Sequence, residues 1–112
     1  MWTNPNPTGG FSAQTVPLDL SSYDGVLIQS SVTIYTGAGV HEPNTFSFVP
    51  KGKTARIFGS QQATSLKDEI TTRLATVSDT GVTFTSGYFP NSGATDGGFC
   101  VPDYIYGVKI SF

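Results

Sequence analysis

Apolar residues alternate with polar or hydroxylated ones in short stretches along this chain, and each stretch is cut off by Gly, Pro, Asn or Asp. A period of two bounded by turn formers marks half-buried strands. Phe11 to Leu20 reads as an extended opening strand with Val16, Leu18 and Leu20 on one parity. Pro17 confines it to a sheet edge or a bulge, because proline has no N–H for a second neighbour. Ser21-Ser22-Tyr23-Asp24-Gly25 is a turn. Val26 to Tyr35 is the strongest strand: Val26, Ile28, Val32 and Ile34 share a parity that only Ser30 interrupts, so one face is buried. Thr36-Gly37-Ala38-Gly39 ends it, and His41 falls in an exposed loop, Gly39-Val40-His41-Glu42-Pro43-Asn44. Phe46, Phe48 and Val49 form a short strand stopped by Pro50 and Gly52, and Lys53 to Phe58 is the next.

Gln61 to Val77 carries two signals. Leu66, Ile70 and Leu74 recur every four residues, and Ser65 with Asp68 resembles a capping pair. Against a helix stand the β-branched Ile70-Thr71-Thr72 and Thr76-Val77, followed by Ser78-Asp79-Thr80-Gly81 and Val82-Thr83-Phe84-Thr85, a hairpin pattern. The reading is strands at about 70–77 and 82–86, with at most one helical turn near 65–69. Tyr88 to Gly98 reads as an exposed loop, and Phe99 to Phe112 as a last strand bent or interrupted at Pro102 and Gly107. The density of strand and turn signals predicts an all-β antiparallel sandwich, jelly-roll-like, with little or no helix.

Length allows one core, so residues 1–112 read as a single domain. Charged residues make up 12% of the chain, about half of the roughly 25% usual for soluble domains. The formal net charge is −2, which argues against phosphate-backbone binding and a nucleic-acid partner. Lys51, Lys53 and Arg56 are the one local basic cluster, and a solvated strand end explains them. Ser, Thr, Asn and Gly supply the polar positions instead, a surface suited to a protein held within a larger assembly. No stretch has the length of a membrane span, and the N-terminus lacks the pattern of a secretory signal.

Chemistry has few candidates. Cys100, the one cysteine, lies among Phe99, Val101 and Pro102 and reads as a small buried hydrophobe. His41 is the one histidine; a zinc site needs three or four ligands, so no metal, cofactor or catalytic role is expected for either residue. Asp19, Asp24, Asp79, Asp96 and Asp103 stand mostly beside Gly, Ser or Pro, where carboxylates bond turn amides. A carboxylate pair of the glycosidase kind would meet only in space, and Asp96 with its loop neighbours is a weak calcium candidate. Eight Phe, five Tyr and one Trp supply a core of Phe and Ile. They also supply possible platforms at Trp2, Tyr88, Phe89, Tyr104 and Tyr106.

The two ends carry a further signal. Trp2-Thr3-Asn4-Pro5-Asn6-Pro7 with Phe11-Ser12-Ala13-Gln14-Thr15, then Tyr23-Asp24, and finally Cys100-Val101-Pro102 with Tyr104-Ile105-Tyr106-Gly107 resemble a small β module. That module occurs in head fibres, tail fibres and other virion proteins of tailed bacteriophages. In the middle only the Asp79–Phe84 hairpin is similar, and Asp103 departs from the pattern where an apolar residue is expected, implying a bulged or partly exposed strand. The resemblance implies a virion structural protein or module, either separate or one domain of a longer fibre, with other virion proteins as partners and no catalytic residues to carry over. With the aromatic turns, it implies a homo-oligomer, a trimer, that serves assembly or host attachment, with a bacterial cell-surface glycan as possible target. Trp2, Tyr104 and Tyr106 are then candidate intersubunit contacts, and Tyr88, Phe89, Asn91 and Asp96 a candidate ligand-facing loop. The alternatives are a carbohydrate-binding module outside any virion and, less favoured, a small enzyme.

Overall fold

Ten strands are present in the computed structural model, which describes residues 1–6, 10–34, 40–62, 68–90, 93–95 and 100–110; the side chains of 31–34, 40–44, 60–62, 68–69 and 89 lie outside that description. They are β1 (Trp2–Thr3), β2 (Gln14–Pro17), β3 (Gly25–Ile34), β4 (Val40–Pro50), β5 (Thr54–Gln62), β6 (Asp68–Ser78), β7 (Gly81–Phe84), β8 (Tyr88–Phe89), β9 (Ala94–Thr95) and β10 (Pro102–Val108). No helix occurs among the described residues. Two four-stranded antiparallel sheets, β4-β3-β10-β1 and β5-β6-β7-β2, form a sandwich. At one end they merge, where Val32–Ile34 runs parallel to Ser60–Gln62. The outer pairings, β1 with β10 and β2 with β7, are those of a jelly roll. Inside, β3–β4 and β5–β6–β7 are plain hairpin-type neighbours.

Register explains which side chains meet. Val26, Ile28, Val49 and Ile105 of the first sheet face Ile57, Ala75, Val77, Val82, Phe84 and Val16 of the second, all buried. Each Val, Ile or Phe among them contributes about 1.5–3 kcal/mol on burial. β2 ends at Pro17 and pairs only with β7, the edge position that Pro17 demanded.

Four expectations change. β4 begins at Val40, so His41 lies on a strand, in register with Thr33, and not in a loop. Pro43 does not prevent this, because β4 pairs only with β3 and an edge needs no second row of donors. Within Tyr88–Gly98, β8 and β9 form a small hairpin, with Tyr88 paired to Thr72. β8 takes the β6 edge beyond the point where β7 leaves it, satisfying backbone groups that would otherwise be orphaned. Gly107 does not interrupt the last strand, which runs to Val108, whereas the register does shift between Pro102 and Tyr104. Asp103 thus stands at a bulge, as its departure from the pattern implied, and it is buried. Finally, Phe46, Phe48, Phe58 and Ile70 are exposed, at 57%, 42%, 46% and 61%, and so lie outside the core assigned to Phe and Ile. Asp68 and Glu69 belong to β6; the rest of the anticipated helical turn, 65–67, and the Thr36–Gly39 turn lie outside the described residues.

The two ends of the chain and the Tyr23–Asp24 turn converge. Trp2 and Thr3 pair with Ile105 and Tyr104. Asn4 is buried; its N–H donates to the Asp103 carbonyl at 2.8 Å and its Nδ2 to the Pro102 carbonyl at 2.9 Å. Its Oδ1 accepts from the N–H of Asn6 at 2.8 Å, an Asx turn that directs the chain around Pro5. Asp24 donates its N–H to the Val108 carbonyl at 2.9 Å and accepts from the N–H of Ile110 at 2.7 Å. The Tyr23 ring lies over Gly107, where a Cβ would come within 2.6 Å of Cε1. Gly107→Ala is therefore expected to destabilise by about 1–3 kcal/mol in urea denaturation, and adding Tyr23→Ala is expected to recover part of that loss. An Ala variant as stable as the parent would refute this packing.

Candidate functional site

Arg73 occupies the interior of the second sheet and is 1% exposed. Its Nη1 donates to the carbonyls of Phe11 at 2.8 Å and Thr85 at 2.7 Å, and its Nε to the carbonyl of Cys100 at 3.0 Å. Its guanidinium carbon lies 5.3 Å from the centroid of the Phe11 ring, a cation–π geometry. Burial lowers its pKa from the ordinary value, but a guanidinium stays charged at physiological pH. Phe11 in turn meets Trp2 and Phe84 edge to face, at 5.9 and 5.4 Å between centroids. This is a structural hub. The strand parity that places Arg73 inward is shared by Thr71, Ala75 and Val77, all buried; that parity was the available signal, hidden by the four-residue spacing of Leu66, Ile70 and Leu74.

Cys100 is buried beside this hub with φ at 50°, a left-handed conformation that costs a non-glycine residue about 1–2 kcal/mol. Burial pushes its thiol up to about 11, opposed in part by the Ser30 hydroxyl and Arg73, so the sulfur is protonated and unreactive at neutral pH. Its nearest acceptor is the Ile57 carbonyl, at 3.7 Å.

Two surfaces have functional character. The outer face of the first sheet carries Phe46 and Phe48 of β4, Leu27 of β3, and Tyr104 and Tyr106 of β10 in adjacent register rows. Tyr104 and Tyr106 stack at 6.1 Å. Contiguous exposed apolar surface of this kind is a mark of interaction sites. On the other sheet, a groove of about 440 Å³ is bordered by Arg56, Leu74, Thr85, Ser86, Tyr88 and Thr95. Buried Arg73 also borders it. Arg56 is exposed, and its Nη1 donates to Thr72 Oγ1 at 3.0 Å.

Of the residues singled out in the sequence, Tyr104 and Tyr106 share one face, and Tyr88 belongs to the groove on the other sheet. Trp2 is half-buried and spends one side of its ring on Phe11. Phe89 lies on β8; its side chain, and Asn91 and Asp96 entirely, fall outside the described residues. Asp19 behaves as a turn carboxylate, accepting from the Ser21 hydroxyl at 2.6 Å and its N–H at 3.1 Å, which lowers its pKa, and Asp24 accepts the N–H of Ile110. Asp79 instead pairs with Lys51 at 3.0 Å. Lys51 therefore belongs to a loop tie and Arg56 to the groove, not to a shared solvated strand end. Among the described residues no three His, Cys, Asp or Glu gather into a metal-holding group. No protein-family model, curated protein or solved structure matches the chain.

Arg73→Met is expected to cost more than about 3 kcal/mol, since it strands the buried carbonyls of Phe11 and Cys100 and releases the part-buried one of Thr85. Arg73→Lys should recover little, because a point ammonium cannot reproduce the guanidinium fork; chemical denaturation of both variants measures this. Cys100 makes a separate prediction for alkaline pH. The fold holds its proton more tightly than the unfolded chain, whose thiol titrates near about 8.5. Stability is thus unaffected below that pH and falls by about 2–3 kcal/mol as pH rises toward 11. A Cys100→Ala variant should show a correspondingly shallower alkaline slope, and identical slopes would disprove the assignment.

Proposed function

We propose that this chain is a virion structural protein or module of a tailed bacteriophage, part of a head or tail fibre or a related appendage, acting in particle assembly or host attachment. The observation that carries the reading is the convergence of several of the resembling segments. Trp2–Asn6, Tyr23–Asp24 and Cys100–Gly107 contact one another through β1–β10 pairing, Asn4, Asp24 and the Tyr23–Gly107 contact. The other resembling stretches, Gln14–Thr15 and the Asp79–Phe84 hairpin, pair with each other in the second sheet.

The aromatic face of Phe46, Phe48, Tyr104 and Tyr106 supports a homo-oligomer. In this reading three copies pack through that face and the assembly contacts other virion proteins; Trp2, in register with core Ile105 and packed on Phe11, is turned to the interior and lies apart from it. The role is binding and architecture, not catalysis, and the location is the virion. A carbohydrate-binding module outside any virion is the second reading, and the Arg56–Tyr88 groove favours it.

Mass spectrometry of purified particles is expected to detect the chain's peptides at a fixed stoichiometry, and their absence from particles would end the virion reading. Light scattering on the purified chain is expected to give three chain masses, with Tyr106→Glu shifting it to one. A parent chain that stays monomeric at high concentration would sink autonomous trimerisation.

A further inference from the structure

We propose that the groove between β5, β6 and β8 binds an acidic sugar, a pyranose carrying a carboxylate. This deepens the attachment reading above and rests on it for the source of the ligand. Arg56 is the anchor. Thr72, itself 2% exposed, accepts from Nη1 and holds the guanidinium in place, leaving Nε and Nη2 as donors for an incoming anion. A guanidinium prepositioned in this way loses less freedom on binding, and its fork matches a carboxylate through two parallel hydrogen bonds. The described lining residues include no acid to oppose Arg56. The local field therefore favours an anion although the chain as a whole carries a net charge of −2.

The remaining lining residues define what the anion is attached to. At about 440 Å³ the groove lies in the range of small-ligand sites and exceeds the needs of a lone carboxylate. Tyr88 is 36% exposed on its wall and offers an aromatic face with a polar tip. Ser86 and Thr95 bring hydroxyl groups, and Leu74 an apolar patch. Thr85 has its hydroxyl engaged by the Leu74 N–H and the Ser86 carbonyl, at 3.0 and 3.3 Å, and so contributes shape. A ring with apolar C–H faces and a hydroxylated rim complements this combination. An acidic peptide would leave Tyr88 and the hydroxyls without matching groups. One open groove with one exposed charge gives weak binding, on the order of millimolar, and copies joined in an oligomer raise the avidity.

The test is titration of the isotope-labelled full chain, followed by its backbone amide spectrum. The probes are a galacturonate tetramer, sialyllactose, a neutral galactose tetramer and galactose 6-phosphate. At least one carboxylated sugar is expected to shift the amides of Thr72, Tyr88 and Thr95, and the neutral tetramer to bind at least tenfold more weakly. Arg56→Gln, whose exposed position leaves folding intact, should lose at least tenfold, and Arg56→Lys should recover part of it. Tyr88→Ala should also weaken binding while its spectrum away from β8 stays that of the parent. The inference fails if neither carboxylated sugar shifts these amides, or if the neutral sugar or the Arg56→Gln variant binds equally well. Tighter binding of the phosphosugar would also overturn the carboxylate assignment. Detection of the chain in particles is a separate readout, so failure here leaves the virion reading standing, and binding by a chain absent from particles does the reverse.

Discussion

The buried guanidinium of Arg73 is the interaction on which the arrangement of the loops depends. A sandwich of this size can align its strands through backbone pairing and apolar burial, but both are indifferent to where the connecting segments run. Arg73 removes that freedom. One side chain joins the carbonyl of Phe11, which leads into β2, that of Thr85, which leaves β7, and that of Cys100, which leads into β10. Three connections distant in sequence are thereby fixed at one point. A buried charge is costly unless its donors are used and its field is answered. Here carbonyl dipoles and the face of Phe11 supply the answer. The strained φ of Cys100 fits the same logic, since its carbonyl is held by Arg73 while its sulfur is held by the core.

The second organising feature is the closure of the chain on itself. β1 has only two residues and gains little from its own ladder. Its position is secured by Asn4, whose backbone and side chain both bond the Pro102–Asp103 bulge, and by Trp2 packing on Phe11. The bulge matters because it turns the carbonyls of Pro102 and Asp103 toward Asn4. Asp103, which breaks the apolar pattern of the last strand, stands where the ladder is already broken. Tyr23 over Gly107 and Asp24 bonding to Val108 and Ile110 close the other end of the same strand. β10 is thus the strand around which the N-terminal segment and the Tyr23–Asp24 turn are assembled.

The two candidate surfaces lie on the outer faces of opposite sheets. The aromatic face on β3, β4 and β10 is broad and apolar, suited to another protein surface. The groove beside β8 is polar and charged, suited to a small ligand. Their separation means that a subunit contact through one face would leave the other open. Each surface exists because a side chain sits on the solvent parity of a strand: Phe46 and Phe48 opposite Ser47 and Val49, and Arg56 opposite Ile57. These choices contribute nothing to the core.

Strand parity was legible in the sequence wherever alternation was clean. It located β3, the β6–β7 hairpin, the edge character of β2 and the sandwich class, because a half-buried strand must repeat every two residues. Adjacent apolar residues likewise marked Cys100 as a small buried hydrophobe, and it is buried. Tertiary structure decided the rest. Pro43 and His41 read as loop because local propensity cannot know that β4 is an edge strand with β3 for a partner. Phe46, Phe48 and Phe58 read as core because hydrophobicity alone does not say which face of a strand meets the other sheet. Tyr88 was visible as a candidate, but Arg56 was not, since the pairing of β5 with β6, and of β8 with β6, brings together residues some thirty positions apart. Arg73 was the least legible of all: parity places it inward, but local sequence gives no reason to bury a charge, and the carbonyls of Phe11, Thr85 and Cys100 that answer it arrive from three other segments.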